Sequence, residues 1–153
     1  VGRSQGEYDN GEGELSDAAT AMDWLQAQNP ASHQCWIAGF SFGAWIGMQL
    51  MMRRPEIQGF ISATPPATTH DFSFLAPCPA SGLIVHGEED EQVPPDAVYK
   101  LVERLSIQKG VKIDIDLVSG ANHFFTDHLD SMIETVSTYL DTAFTKPNFD
   151  PLA

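Results

Sequence analysis

Basic residues are scarce in this sequence, and the shortage limits the partners that we expect. Its 153 residues include 8 lysines and arginines against 21 aspartates and glutamates, which gives a formal net charge of −13. Nucleic acids and anionic membrane surfaces are bound through patches of positive charge. We therefore expect neither a nucleic acid nor a membrane surface as a partner.

Cysteines and long apolar runs are scarce as well. The two cysteines, Cys35 and Cys78, are too few for a disulfide framework, and Cys35 lies in an apolar run where we expect a buried thiol. No apolar run approaches the roughly 20 residues of a membrane-spanning helix. The chain begins at Val1 without an initiator methionine or a signal-peptide pattern, so we expect it to be part of a longer protein. Without a disulfide framework, the cytoplasm is the default compartment that we expect.

Four short segments have the composition of β-strands. Residues 35–38, 59–62 and 83–85 are short and apolar, as in strands that are buried on both faces. Residues 112–117 alternate between polar and apolar side chains, which is typical of a half-solvated strand near a sheet edge. The pattern therefore predicts three central strands and one strand close to an edge.

Segments with helical spacing of apolar residues separate these strands. They run from Leu15 to Leu25, from Ala44 to Arg53, from Pro95 to Leu105 and from Leu129 to Leu140. Strands that alternate with helices predict a mostly parallel sheet with helices on both faces, a three-layer α/β/α architecture. The length suits one domain, so residues 1–153 are predicted to form a single α/β domain.

Two serines lie in the spacing Gly-x-Ser-x-Gly, and only one of them has the surroundings of a nucleophile. Ser41, in GFSFG, follows a predicted strand and precedes a predicted helix, as a nucleophile elbow requires. Ser4, in GRSQG, is followed by Glu-Tyr-Asp-Asn-Gly, which favours a turn. Ser41 is therefore the candidate nucleophile, with a simple packing turn as the alternative.

The residues around Ser41 fit the same interpretation. Gly39 and Gly43 would let the strand and the helix pass close to each other without side-chain clashes. The N–H of Phe42, directly after the serine and beside the N-terminus of the predicted helix, would face the oxygen on which negative charge develops. We expect the Phe42 N–H to be one donor of an oxyanion hole.

A serine nucleophile needs a base, and the sequence offers five histidines. His123 lies in SGANHFF, between the alternating strand and the last helix, where loops at the carboxyl ends of strands converge. It is the preferred base. The others are less suitable: His33 lies at the wrong end of its strand, His70 in a long loop, His86 directly at a strand end and His128 inside the predicted terminal helix.

The base in turn needs an acid that orients its ring. Asp90, in HGEEDEQVP after the third strand, is the candidate, and Glu88, Glu89 and Asp71 are lesser alternatives. Asp90 is favoured because the nucleophile, acid and base would then follow successive strands in the order Ser, Asp, His.

Three stretches of the sequence resemble motifs of the α/β-hydrolase superfamily. The nucleophile elbow is similar to GFSFGAW, the acid loop to HGEEDEQVP and the histidine loop to GANHFF. Among its members, the sequence is most similar to compact bacterial hydrolases near the dienelactone-hydrolase and prolyl-peptidase-like branches. The opening VGRSQGEYDNGEGE resembles a loop after the fourth strand, in which the serine is not the nucleophile. The resemblance implies a Ser41–Asp90–His123 triad, an acyl-enzyme and no metal or organic cofactor.

The resemblance also implies that the chain is the C-terminal portion of the fold, its strands five to eight. The first four strands have no counterpart here, nor does the loop after the third strand, which supplies one oxyanion N–H. The strand before Ser41 would then be an apolar edge, open to the N-terminal part or to a second copy of the chain. Because one oxyanion donor is worth about 10²–10³ in rate, we expect the isolated chain to be nearly inert.

The predicted function is hydrolysis of an ester, thioester or related acyl bond in a small molecule. A peptidase of the same fold and a non-catalytic binding module remain alternatives. A cysteine or metal enzyme is disfavoured, because Cys35 lies within a strand and no His/Cys cluster has ligand spacing.

The roughly 19 residues from Ala63 to Ser81 are too few for a folded lid. Four aromatic residues could line an acyl pocket or simply pack in the core: Phe40, Trp45, Phe124 and Phe125.

Overall fold

Four parallel strands form one sheet in the computed structural model, which describes residues 2–145. They are β1 (Trp36–Phe40), β2 (Gly59–Ala63), β3 (Ser81–Gly87) and β4 (Ile113–Val118). The strands lie side by side in chain order, and every neighbouring pair is parallel. The carboxyl ends of all four strands therefore meet at one edge of the sheet, as the predicted site requires.

Helices cover both faces of this sheet. They are α1 (Glu12–Gln28), α2 (Phe42–Arg53), α3 (Pro95–Ser106) and α4 (Leu129–Thr145), with one 3₁₀ turn at Ser73–Leu75. One core contains buried side chains of α1, α2 and α3 together with Phe60 and Ile84 of the sheet. A second core joins Val85 and Phe125 to α4 on the other face. The predicted three-layer α/β/α architecture is confirmed.

The packing of α3 shows how the spacing of apolar residues determines which face of a helix is buried. Val98, Leu101 and Leu105 are spaced to lie on one helical face, and all three are buried. Pro95 occupies the first helical position, where its fixed φ suits the helix and its missing N–H costs no hydrogen bond.

The first strand is more exposed than its apolar composition predicts, and it lies at an edge of the sheet, as the family resemblance implies. We expected residues 35–38 to form a fully buried strand, but Ala38 and Phe40 are exposed and the rest of β1 is half-buried. The reason is topological: within residues 2–145, β1 has a strand neighbour on one side only. Cys35 precedes β1 and is half-buried, so the expectation of a buried thiol is wrong for Cys35, whereas Cys78 is buried.

The last helix is also less covered than its amphipathic pattern predicts. None of its residues is fully buried, and Leu129 and Ile133 are 54% and 55% exposed. Its Tyr139 and Phe144 pack edge-on against Trp36 of β1. His128, predicted inside this helix, lies in the turn before it, because α4 begins only at Leu129. Between residues 2 and 145, no helix has the length and apolar character needed to span a bilayer.

Candidate active site

Ser41 occupies a sharp turn between β1 and α2. It is the only residue between Phe40, where β1 ends, and Phe42, where α2 begins. Its backbone has φ 50° and ψ −118°, a conformation that non-glycine residues rarely adopt. The Ser41 N–H donates to the carbonyl of Ala63 at the end of β2, at 2.8 Å. This bond ties the strained turn to the neighbouring strand, which holds the hydroxyl at the sheet edge.

The two glycines of the elbow have different requirements. A Cβ added to Gly39 would lie 2.3 Å from the Gly43 carbonyl oxygen and 2.6 Å from the Ala44 nitrogen, so only glycine fits. A Cβ added to Gly43 would meet nothing within 4 Å. The predicted close passage of strand and helix therefore depends on Gly39, and clearance does not explain the glycine at position 43.

Three side chains from three loops form a continuous hydrogen-bonded chain at this edge. The Ser41 Oγ lies 3.0 Å from His123 Nε2, and His123 Nδ1 lies 2.7 Å from Asp90 Oδ2. A carboxylate only accepts hydrogen bonds, so Nδ1 carries the hydrogen and Nε2 is left to accept from the serine hydroxyl. Ser41 is half-buried, while His123 and Asp90 are 5% and 3% exposed. The structure thus brings together the three residues chosen from the sequence.

The second oxygen of Asp90 fixes the carboxylate in this orientation. Asp90 Oδ1 accepts the backbone N–H groups of Gln92 and Val93, both at 2.9 Å. Oδ2 is thereby directed at His123. The alternative acids are placed elsewhere: Glu89 is exposed and Asp71 bonds to Ser73.

Glu88 joins the acid loop to the histidine loop, a role that the sequence did not indicate. Its Oε2 accepts from the Ser119 hydroxyl at 2.8 Å and from the Gly120 N–H at 3.1 Å. The Ser119 hydrogen bond is the main reason that the pKa of Glu88 lies below its ordinary value. A Cβ at Gly87 would lie 2.4 Å from the Ala121 carbonyl oxygen, so the two loops also need a glycine there to approach each other.

The other histidines lie away from the serine or bond to other groups. His33 is exposed before β1, His70 contacts the rings of Phe42 and Trp45, and His128 bonds to the Thr126 carbonyl. His86 is fully buried, and its Nε2 lies 2.7 Å from the Val93 carbonyl oxygen.

Two of the four aromatic candidates flank the histidine. The ring centroids of Phe40 and Phe124 lie 5.6 and 5.1 Å from that of His123, and both side chains remain exposed, at 43% and 58%. Phe125 is 1% exposed and belongs to the second core. Trp45 packs against Phe42 and His70, and its Nε1–H donates to the Asp71 carbonyl.

A backbone N–H without a helical acceptor follows the serine directly. Phe42 is the first residue of α2, so its N–H has no acceptor within the helix. The helix N-terminus also adds a partial positive charge at this point. Over residues 2–145, no three His, Cys, Asp or Glu side chains are grouped so as to hold a metal ion.

A parallel sheet between two helical layers, with a strand–serine–helix elbow at its carboxyl edge, defines the α/β-hydrolase fold. The model of the dienelactone hydrolase family matches residues 6–146, and the chain belongs to this family. An uncharacterised protein of Rickettsia prowazekii is 51% identical in an alignment of 146 residues that covers 93% of this chain and 61% of that protein.

Solved structures show the same relationship. A protein of unknown function from Agrobacterium tumefaciens, described as a putative α/β hydrolase, is 56% identical with a TM-score of 0.91, over 94% of this chain and 66% of that one. A lidless α/β serine hydrolase from Xanthomonas campestris is 34% identical with a TM-score of 0.80, over 90% and 60%. The chain therefore spans between three fifths and two thirds of the length of these relatives.

Proposed function

We propose that the protein is a serine hydrolase that cleaves an ester, thioester or related acyl bond through an acyl-enzyme on Ser41. The observation that carries this proposal is the chain of hydrogen bonds from the Ser41 hydroxyl through His123 to Asp90. Two relatives that are 34% identical, from Coxiella burnetii and Xanthomonas campestris, are described as a serine hydrolase homologue and a serine hydrolase.

Each group has a defined task in this reaction. His123 Nε2 takes the proton of the Ser41 hydroxyl while Oγ attacks the acyl carbon, and the carbonyl oxygen becomes an oxyanion near the Phe42 N–H. The tetrahedral species collapses as His123 returns the proton to the leaving alcohol or thiol. Water then loses a proton to His123 as its oxygen attacks the acyl carbon. The bond to Ser41 Oγ breaks as His123 returns this proton to Oγ, which releases the acid and regenerates the serine. Asp90 stabilises the imidazolium in both steps.

Burst kinetics test this mechanism with the full-length protein. Mixing with a p-nitrophenyl ester should release p-nitrophenol rapidly, in an amount equal to the protein, before a slower steady state. The Ser4→Ala variant should give the same burst, because Ser4 is exposed and distant in the chain from the elbow. A folded protein that neither releases p-nitrophenol nor forms an adduct would favour a non-catalytic binding module.

The exposed rings of Phe40 and Phe124 form the acyl-binding surface in this proposal. Apolar side chains beside the histidine would remove water from the acyl group, and each buried methylene is worth about 0.8 kcal/mol. The Phe40→Ala/Phe124→Ala double variant should therefore raise KM for a butyrate ester by about tenfold and leave kcat nearly unchanged.

Phe144→Ala is the matched control for this pair. Phe144 is 45% exposed, comparable with Phe40, but it contacts Trp36 instead of His123. Its removal should leave KM unchanged. An equal rise in KM for both variants would remove Phe40 and Phe124 from the acyl-binding surface.

A further inference from the structure

His86 is a buried titratable group that the proposed mechanism does not use. It lies next to the end of β3, four residues before Asp90, and its side chain is fully buried. Histidine side chains are mostly exposed or half-buried in proteins, and the ring nitrogens of a buried histidine normally have hydrogen-bond partners. The groups that His86 contacts therefore indicate why it is buried.

Those contacts lead to the acid of the triad. His86 Nε2 lies 2.7 Å from the Val93 carbonyl oxygen and 3.5 Å from Asp90 Oδ2. Oδ2 is the same oxygen that accepts from His123 Nδ1 at 2.7 Å. The other ring nitrogen, Nδ1, is buried and has no hydrogen-bond partner among the described residues.

These neighbours determine where the imidazole hydrogen lies. A carbonyl and a carboxylate only accept hydrogen bonds, so Nε2 carries the hydrogen. Protonating Nδ1 would leave a charged N–H buried without a partner, which is strongly unfavourable. Burial lowers the pKa of His86, and this effect exceeds the opposing effects of the hydrogen bond to Val93 and of the charge of Asp90. His123 is the other titratable group that faces His86. The ring is therefore a neutral donor.

We propose that His86 is a positioning residue that holds Asp90 for His123; this inference rests on the proposed function. Val93 is fixed at both ends, because its N–H donates to Asp90 Oδ1 at 2.9 Å and its carbonyl accepts from His86. The hydrogen bond from His86 thus holds the turn from Asp90 to Val93 in place, and Asp90 Oδ2 stays directed at His123 Nδ1. A neutral ring does this without an imidazolium charge that would compete with His123 for the carboxylate.

Kinetics of two His86 variants test the proposal. His86→Phe fills the space but removes the donor, whereas the side-chain amide of His86→Gln can reach the Val93 carbonyl. His86→Phe should lower kcat by about 10–100-fold with KM unchanged, since a displacement of about 1 Å in a catalytic group costs roughly 10² in rate. The acid limb of its pH–rate profile should move, because Asp90 no longer holds the His123 ring. His86→Gln should recover most of kcat.

His33→Phe is the control, because it makes the same substitution at an exposed histidine before β1. Its kinetics should match the unmodified protein. Full activity in folded His86→Phe, or equal losses in His86→Phe and His86→Gln, would overturn the positioning role.

NMR supplies a readout that does not depend on turnover, so that failure of this inference can be told from failure of the proposed function. The ¹⁵N shifts of His86 should report hydrogen on Nε2 and none on Nδ1 throughout the pH range in which the protein is folded. The downfield proton of His123 Nδ1–H should shift or broaden in His86→Phe and persist in His86→Gln. A His86 ring protonated on Nδ1, or an unaltered His123 proton in His86→Phe, would contradict the inference even in an active enzyme.

Discussion

Ser41→Ala is expected to lower kcat/KM for ester hydrolysis by about 10⁶-fold, the scale of losing the nucleophile in a serine hydrolase. The reason is geometric: the Ser41 hydroxyl is the group that lies 3.0 Å from His123 Nε2. Removing it leaves His123 without an oxygen to deprotonate. The measurement is the initial rate of the full-length protein with a p-nitrophenyl ester, after circular dichroism has shown that the variant is folded.

Ser4→Ala is the matched control for this experiment. Both serines lie between glycines at the same spacing, but Ser4 is exposed in a loop before α1 and Ser41 is half-buried at the elbow. We expect an unchanged rate for Ser4→Ala. A rate that survives in Ser41→Ala, or that falls in Ser4→Ala, would contradict the assignment of the nucleophile.

Asp90→Asn is expected to reduce kcat by about 10⁴-fold while the fold is retained. In the unmodified protein the N–H groups of Gln92 and Val93 donate to Asp90 Oδ1 at 2.9 Å, and the asparagine oxygen of the variant can still accept both. Its NH₂ group then faces His123 Nδ1 and can only donate, so the ring must carry its hydrogen on Nε2. In that tautomer His123 cannot accept the serine proton.

Glu89→Gln tests whether a loss of charge in the same loop has the same effect. Glu89 is exposed and one residue from Asp90, and it has no side-chain hydrogen bond to the site. Its rate should be close to that of the unmodified protein, because an exposed substitution of this kind has little effect on the fold and Glu89 contacts neither Ser41 nor His123 through a side-chain hydrogen bond. Comparable losses in Asp90→Asn and Glu89→Gln would indicate a field effect of the acidic loop and would contradict the proposed role of Asp90.

Backbone strain is concentrated at the edge of the sheet where these groups meet. Ser41, Thr64, Phe125 and Asp127 have positive φ values and lie in loops that follow the strands; the fifth such non-glycine residue within 2–145 is Asn10. Thr64 is β-branched, for which a φ of 45° is uncommon. Strain of this kind persists where surrounding contacts fix it, as the bond from Ser41 N–H to Ala63 does.

The sequence was sufficient to predict most of the architecture and the meeting of Ser41, Asp90 and His123. Short apolar strands, the amphipathic pattern of α3 and the strand–serine–helix order are local signals, so they can be read without coordinates. The position of each loop then follows from the parallel sheet, because all four strands end at one edge.

Other features depend on long-range packing and could not be predicted in this way. The composition of β1 did not indicate its exposure, which follows from its place at the edge; only the family resemblance implied that place. The exposure of α4 follows from how little of its apolar face is covered. The sequence could not separate Phe124, which is exposed beside His123, from Phe125, which is buried next to it. The contacts of His86 with Val93 and Asp90 likewise depend on the path of a single turn.

The most direct test of the central claim is to locate the covalent adduct. The full-length protein would be treated with a fluorophosphonate, digested and analysed by tandem mass spectrometry, with Ser41→Ala and Ser4→Ala treated in parallel. We predict one phosphonyl group on the Ser41 oxygen in the unmodified protein and in Ser4→Ala, and none in Ser41→Ala. An adduct on Ser4, or an equal yield of adduct in Ser41→Ala, would contradict the account.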